Sequence, residues 1–411
     1  MKFMNNTILK NTLMLYLVNI ARIIFPLVTL PYLTRVLTVE CFSVVAYVKA
    51  LMQYMQIFVD FGFMLSGTKD IALCRDDREK LNNETTEILL ARITISIVAL
   101  VVLLMITSYI SLLNNNKIFT LLSFTAVFLS CFFMDYLFRG LEIMEFITIR
   151  VVVMKAFATI LTFFMVKSDV DILWIPILDI LGSIIAISLV WKQILNLGIS
   201  LKISSFKKIC LKIKESAIYF ASEVSTTAFG ALNTLVIGIC LPEIQVAYWS
   251  VCQQLIGGVQ SLYTPITNSV YPQMIKSRDI NLINKLVKLL LPILVVGCIF
   301  TYCVADYVVT FIAGFQYLPA GDLLRYLIPV MFLGFFSMLY GWPVLGAIGK
   351  QREVTITTII AALFQTIGIL VLFLTNSFTL FNIAILRCVT EGILFVSRYG
   401  LFRKFRRLFV V

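Results

Sequence analysis

The composition of this chain is defined first by what is scarce in it. Its 411 residues include no histidine, which excludes histidine metal sites, histidine general bases and Ser-His-Asp triads. Only 14% of the residues are charged, against about 25% in soluble proteins. The nine cysteines show no paired CxxC spacing and are interpreted as small apolar packing residues. With 60% hydrophobic residues, the chain is predicted to be an integral membrane protein without a metal site.

The sequence gives little indication of nucleotide binding or of catalysis. The nearest approach to a P-loop places Ala347 after Gly341 and Gly346, where that motif requires lysine. Asp169-Val170-Asp171 has the DxD form used by glycosyltransferases, but the match is short and lies in a predicted outer turn. The net charge of +12 is explained by membrane topology and anionic lipids. We therefore predict no enzyme activity, no cofactor and no nucleic-acid partner.

Lysine and arginine fall on alternate connections between apolar runs of membrane-spanning length. Of 34 basic residues, 25 lie on every second connection, and the intervening connections hold only Arg35, Lys117 and Lys167. This positive-inside bias predicts cytoplasmic termini and about 12 spans in a multi-pass protein of the inner-membrane type. The predicted spans are residues 11–33, 41–65, 88–112, 118–138, 147–167, 172–191, 216–240, 247–270, 286–308, 323–347, 354–374 and 378–400.

The longest basic connection, residues 192–214, separates the sixth predicted span from the seventh. It divides the chain into an N-terminal six-helix half, residues 1–200, and a C-terminal six-helix half, residues 201–411. Transporters are often built from such repeated halves, with the substrate site near the middle of the membrane. The predicted fold class is therefore an all-α membrane protein with two six-helix halves around a central cavity.

The second predicted span carries a polar stripe. Lys49, Gln53, Gln56 and Asp60 are spaced i, i+4, i+7 and i+11, which places them on one face of a helix. Charged side chains are costly inside a bilayer, so this face must meet protein or water. Two interpretations remain open: a cavity wall, and polar contacts that hold helices together.

Further charges lie inside other predicted spans. Arg22 lies at mid-depth in the first span and Lys155 in the fifth, whereas Arg387 and Glu391 in the last span are spaced to pair within their helix. We predict that Arg22, Lys49 and Arg387 line one water-filled cavity and bind an anionic group such as a phosphate. Charged residues nearer the span ends are expected to extend to water instead: Arg92, Asp306, Asp322, Arg325 and Arg398.

The first 80 residues carry a more specific pattern. It consists of Pro26-Leu-Val-Thr-Leu-Pro31-Tyr-Leu-Thr-Arg35, Gln53-Tyr54, Val59-Asp60-Phe61-Gly62-Phe63 and a basic loop with Arg75-Asp76-Asp77. This pattern resembles the start of bacterial O-antigen flippases of the Wzx (RfbX) type, in the multidrug/oligosaccharidyl-lipid/polysaccharide (MOP) exporter superfamily. The likeness continues more loosely to Arg387 and Glu391. Lys49 departs from the family pattern, in which an amide or a hydrophobic residue is commoner at this position.

The resemblance implies that the substrate is an undecaprenyl-pyrophosphate-linked oligosaccharide. It would be moved from the cytoplasmic to the periplasmic leaflet by alternating access. The substrate-binding residues would be Arg22, Lys49, Gln53, Gln56, Asp60, Lys155, Arg387 and Glu391. The other partners would be the lipid bilayer and O-antigen assembly proteins such as the polymerase and the chain-length regulator.

Three alternatives remain. A cation-coupled drug exporter of the same superfamily would favour an acidic cavity, whereas several deep basic residues are present here. A membrane enzyme such as the O-antigen polymerase would need a large outer loop or a catalytic histidine. A lipid II flippase usually has about 14 spans, by family resemblance, which is more than this sequence provides.

Overall fold

A computed structural model describes residues 2–202 and 204–409. In this part of the chain the regular elements are helices, connected by short turns, 3₁₀ segments and the π-helical segment Tyr340–Leu345. Their bounds are α1 Lys2–Val36, α2 Val39–Asp60, α3 Phe63–Cys74, α4 Arg78–Tyr109, α5 Ser111–Asn115, α6 Lys117–Leu129, α7 Asp135–Gly140, α8 Met144–Met165, α9 Trp174–Asn196, α10 Phe206–Cys240, α11 Glu243–Ser261, α12 Tyr263–Ser277, α13 Ile280–Ala313, α14 Ala320–Leu339, α15 Gln351–Leu374 and α16 Leu380–Lys404.

The predicted all-helical membrane fold is confirmed. Among the described residues, ten helical segments are long and apolar enough to cross a membrane. The seventh and eighth predicted spans, residues 216–240 and 247–270, lie within α10 and within α11 and α12, which are not among these ten. The count of 12 spans and the cytoplasmic location of both termini stay predictions.

Several helix ends are defined by local sequence. The Thr38 side chain accepts a hydrogen bond from the Cys41 amide at the start of α2, and Asp77 does the same for the Lys80 amide at the start of α4. These contacts satisfy amides that lack a partner within the helix. α2 ends where Phe61 and Gly62 adopt positive φ angles of 40° and 73°. The chain resumes as α3 at once, so the second predicted span is a broken helix.

The structure separates into two compact units, Met1–Ala231 and Leu232–Val411. Their boundary lies inside α10, about 30 residues beyond the division predicted at 200/201. The first part of α10 belongs with the first unit because it packs closely on α3. The Ser216 and Ser66 hydroxyl oxygens are 2.6 Å apart, and Lys212 Nζ is 2.9 Å from Asp70 Oδ2. Whether the two units correspond to six-helix halves stays a prediction.

Lys212 anchors the N-terminal end of α10. Its Nζ atom also lies 2.7 Å from Glu84 Oε2 on α4. Burial by itself would lower the pKa of Lys212, but hydrogen bonds to Glu84 and Asp70 raise it above the ordinary lysine value. The ammonium group is therefore charged at neutral pH and holds three helices together.

The contact between α3 and α10 predicts a strong effect of a single methyl group. A Cβ atom at Gly62 would lie 2.6 Å from the Phe220 amide nitrogen and from Tyr219 Cβ, in a left-handed conformation that itself costs about 1–2 kcal/mol for other residues. We expect Gly62→Ala to lower the thermal midpoint of the detergent-solubilised protein by several degrees. Gly257→Ala is the matched control, since a Cβ there meets nothing within 4 Å. Equal midpoints for the two variants would contradict this packing.

Candidate functional site

The candidate site in the first unit forms where two membrane helices are interrupted. α2 stops at Asp60, and the helix that begins as α6 breaks at the 3₁₀ segment Ser130–Phe133 and at Met134, which has a φ of 48°. An interrupted helix leaves backbone groups without their usual partners, and within a membrane these must be satisfied by protein or water. Transporters often place substrate and ion sites at such interruptions.

Asp60 and Arg92 form an ion pair between these two breaks. Arg92 Nη2 donates to Asp60 Oδ1 at 2.5 Å, and Arg92 Nη1 donates to the Cys131 carbonyl at 3.3 Å. Gln56 donates from one amide nitrogen to Asp60 Oδ2 and to the Ser130 hydroxyl, each at 3.0 Å. Arg92 is only 5% exposed. Gln56 and Asp60 of the polar stripe are therefore engaged in contacts between helices.

Directly after the second break, Asp135 pairs with Arg150 of α8. Arg150 Nη2 lies 2.8 Å from Asp135 Oδ1 and 2.7 Å from Oδ2, and both side chains are buried. The guanidinium carbon also lies 4.1 Å from the centre of the Phe133 ring. Each charge in this buried pair depends on the other, because water cannot replace a lost partner at this position.

Two further arginines give this region an excess of positive charge. Arg22 and Arg139 interact electrostatically with each other, and Arg139 also with Asp60 and Asp135. Within the described part of the chain neither Arg22 nor Arg139 forms an ion pair, and Arg139 Nε is buried without a hydrogen-bond partner. We define these residues as the N-terminal charge cluster: Arg22, Asp60, Arg92, Asp135, Arg139 and Arg150. Its four arginines outnumber its two aspartates, so it can receive an anion.

Lys49 and Gln53, the other two members of the polar stripe, lie in a second polar group with Lys155 and Asp179. Lys155 Nζ lies 3.8 Å from Asp179 Oδ1, and the Lys49 ammonium is attracted by Asp179 and repelled by Lys155. Lys49 and Gln53 are exposed, although most of α2 is buried. Exposed polar side chains on a buried helix are typical of a wall that meets water rather than lipid.

The second unit contains a separate buried polar region. Arg387 Nη1 lies 2.9 Å from Glu391 Oε2, and both side chains are largely buried. A buried chain of hydrogen bonds runs nearby from Thr390 to Gln365 at 2.6 Å and from Gln365 to Asn233 at 2.8 Å. The intrahelical pairing that the spacing permits is therefore present. The prediction that Arg387 shares a cavity with Arg22 and Lys49 stays a prediction.

Two arginines do not lie where the sequence placed them. Arg92 was expected to extend to water, but α4 begins at Arg78, ten residues before the predicted span, so Arg92 lies well inside the helix and pairs with Asp60. Arg398 was also expected to reach water; instead Nη1 donates to the Ser337 carbonyl at 2.6 Å and Nη2 to the Thr358 hydroxyl at 2.9 Å. Ser337 precedes the break at Gly341, where ψ is −116°.

Asp135 and its partner Arg150 were missed. Arg150 is one of the 25 basic residues that the charge alternation assigns to inner connections, but its side chain is buried within α8. The available signal was Asp135 itself, a single acidic residue in the apolar run from Phe132 to Phe138, because such a residue needs a buried partner.

The DxD segment has a structural role. Asp169 accepts hydrogen bonds from the Thr38 amide and hydroxyl at 2.8 Å each, and Asp171 accepts from the Lys167 and Ser168 amides and the Ser168 hydroxyl. Asp169 thus ties this turn to the start of α2, and Asp171 closes the turn itself. Over the residues that the structure describes, no group of three or more His, Cys, Asp or Glu side chains could hold a metal ion.

The fold is shared with solved membrane transporters. The structure matches an inward-facing multidrug resistance MATE family transporter of the MOP superfamily with a TM-score of 0.66 and 15% identity, covering 95% of each chain. It matches the lipid II flippase MurJ in an inward closed conformation with a TM-score of 0.66 and 14% identity, covering 93% of this chain and 87% of MurJ. This chain therefore has the fold of the MOP superfamily.

Sequence comparison narrows the assignment to a family. A model of the family described as "Polysaccharide biosynthesis protein" matches residues 8–278, and the chain belongs to this family. Two relatives are both named "Putative O-antigen transporter". The one from Shigella dysenteriae is 31% identical over 67% of this chain and 70% of its own length, and the one from Escherichia coli K12 is 24% identical over 93% of each. The resemblance drawn from the first 80 residues is confirmed.

Proposed function

We propose that this protein moves undecaprenyl-pyrophosphate-linked O-antigen repeat units from the cytoplasmic to the periplasmic leaflet of the bacterial inner membrane. The observation that carries the proposal is the positive excess of the N-terminal charge cluster, in a chain whose relatives are named for O-antigen transport. A pyrophosphate cannot enter hydrocarbon unaided, and arginine binds phosphate oxygens through charged, often bidentate hydrogen bonds.

The residues divide this task in a definite way. Arg92 and Arg150 are held by Asp60 and Asp135, so they fix the geometry of the two helix breaks. Arg22 and Arg139 are the groups left to meet the anionic head group. The exposed Lys49 and Gln53 would receive sugar hydroxyls or water. Alternating access, the mechanism common to transporters with repeated halves, would then expose this site to each leaflet in turn.

Deletion of the gene gives a direct test. We expect loss of surface O-antigen and accumulation of lipid-linked single repeat units in the cytoplasmic leaflet, because the step before polymerisation is blocked. The measurement is extraction of the lipid-linked units, combined with a membrane-impermeant label that modifies only the periplasmic leaflet. Complementation with the intact gene is the control.

The same experiment separates the competing functions. Unpolymerised units in the periplasmic leaflet would indicate a polymerase. Normal O-antigen together with new sensitivity to cationic dyes would indicate the drug exporter, the main alternative within the superfamily. The excess of arginine in the first unit disfavours that alternative, since a cationic substrate would be repelled. The polymerase and chain-length regulator would act on the delivered units.

A further inference from the structure

An apolar groove opens on the side of the second unit. It has a volume of about 370 Å³ and lies between α13 and the helices α11, α12 and α14. Its walls include Leu294, Gly297 and Phe300 of α13, Tyr263 of α12, and Met331 and Phe335 of α14. The N-terminal charge cluster lies in the first unit, so the groove is a different site.

The depth of the groove restricts what can occupy it. Its α13 residues extend from Leu290 to Thr301, within a helix that runs from Ile280 to Ala313. At 1.5 Å per residue, these positions lie about 15 Å and about 18 Å from the two helix ends. The hydrocarbon core of a bilayer is about 30 Å thick, so the groove faces its middle. Lipid head groups and sugars do not reach this depth unaided.

The hydroxyl groups of the walls are already bonded. The Thr301 hydroxyl donates to the Gly297 carbonyl at 2.8 Å, and the Tyr263 hydroxyl donates to the Met331 carbonyl at 3.1 Å. A sugar or phosphate in this groove would find no free donor among these groups and would lose its hydration. The lining therefore fits a hydrocarbon chain better than a polar group.

The groove is continuous with the lipid-facing surface of α13. Phe300, in its wall, is 64% exposed, and the adjacent Val296 and Ile299 outside it are 65% and 59% exposed. Gly297 leaves space in the floor, since a Cβ atom there would meet nothing within 4 Å. The small side chains of Cys298 and Thr301 line the groove beside it.

We propose that this groove binds the isoprenoid chain of the carrier lipid. The inference rests on the proposed function, which supplies an isoprenoid-linked substrate. Holding the chain at mid-membrane would keep the tail in place while the head group crosses, and dispersion contacts with Tyr263, Phe300 and Phe335 would provide the attraction.

The test uses the full-length protein in nanodiscs that contain phosphatidylglycerol and undecaprenyl phosphate. A photoreactive p-benzoylphenylalanine replaces Phe300 inside the groove, or Ile299 outside it as the control, and adducts are identified by mass spectrometry. We expect the ratio of undecaprenyl phosphate to phosphatidylglycerol adducts to be several-fold higher at position 300 than at 299. Equal ratios, an excess of phosphatidylglycerol at 300, or a crosslink to a second copy of the chain would each overturn the proposal.

A second pair of variants tests the groove itself. Gly297→Phe should place a ring in the groove, since a Cβ atom at this position meets nothing within 4 Å, and should remove the enrichment at position 300. Gly400→Phe is the matched control, because a Cβ there also meets nothing within 4 Å and the residue lies outside the groove. Enrichment that survives Gly297→Phe would overturn the assignment. If gene deletion abolishes O-antigen but the adduct ratios at positions 300 and 299 are equal, only the groove assignment is refuted. If position 300 is enriched but gene deletion leaves O-antigen unchanged, only the proposed transport function is refuted.

Discussion

Arg150→Gln is expected to destabilise the protein strongly, by about 3–5 kcal/mol, because it leaves Asp135 as a buried carboxylate without its partner. Arg150 and Asp135 are 4% and 10% exposed in their side chains, so water cannot replace the lost contact. The expected result is a marked fall in membrane accumulation and in the thermal midpoint of the solubilised protein. Surface O-antigen should fall with it.

The double variant Asp135→Asn, Arg150→Gln distinguishes this explanation from a direct role in substrate binding. Removing both charges should restore most of the stability, since two neutral amides can bond to each other. Lys80→Gln is a control, because Lys80 pairs with Asp77 at 3.0 Å but is 73% exposed, and its loss should leave the midpoint unchanged. An Arg150→Gln protein of normal stability would show that Asp135 has another partner.

Arg22→Gln should have the opposite profile, with normal accumulation but loss of O-antigen export. Arg22 is exposed and forms no ion pair with any described residue, so its removal strands no buried carboxylate. A charged hydrogen bond to a phosphate contributes about 1.5–3 kcal/mol, which corresponds to at least a tenfold loss of binding. Arg22→Lys should retain partial export, because it keeps the charge and loses only the bidentate geometry.

The measurement is surface O-antigen at matched protein levels, with Lys207→Gln on the connection predicted at residues 192–214 as the control. An Arg22→Cys variant in a background without the native cysteines should also react with a small charged thiol reagent. Full export by Arg22→Gln, or no reaction at position 22, would show that this residue does not meet the substrate. Lys49→Gln is expected to reduce export less than Arg22→Gln does, because lysine at position 49 departs from the family pattern.

The sequence contained enough information to define the class of protein and the position of most helices. Long apolar runs have no stable alternative to membrane helices, because the backbone must bond to itself in lipid. The predicted spans are confirmed as helical, and the stripe from Lys49 to Asp60 does lie on one helix. The local spacing of Arg387 and Glu391 was also sufficient, since residues four apart on a helix meet whatever surrounds them.

Pairing between distant residues depends on tertiary structure. The sequence placed Asp60 on a polar face but could not identify Arg92 as its partner, because the two are joined only when α2 packs against α4. Asp135 pairs with Arg150 directly after the helix break at Met134, which the sequence did not indicate. Arg398 donates to the Ser337 carbonyl close to the interruption at Gly341, which was also not predicted. Composition and periodicity thus determine which segments enter the membrane. Whether a charged side chain there is paired or available to a ligand depends on contacts between segments that are distant in sequence.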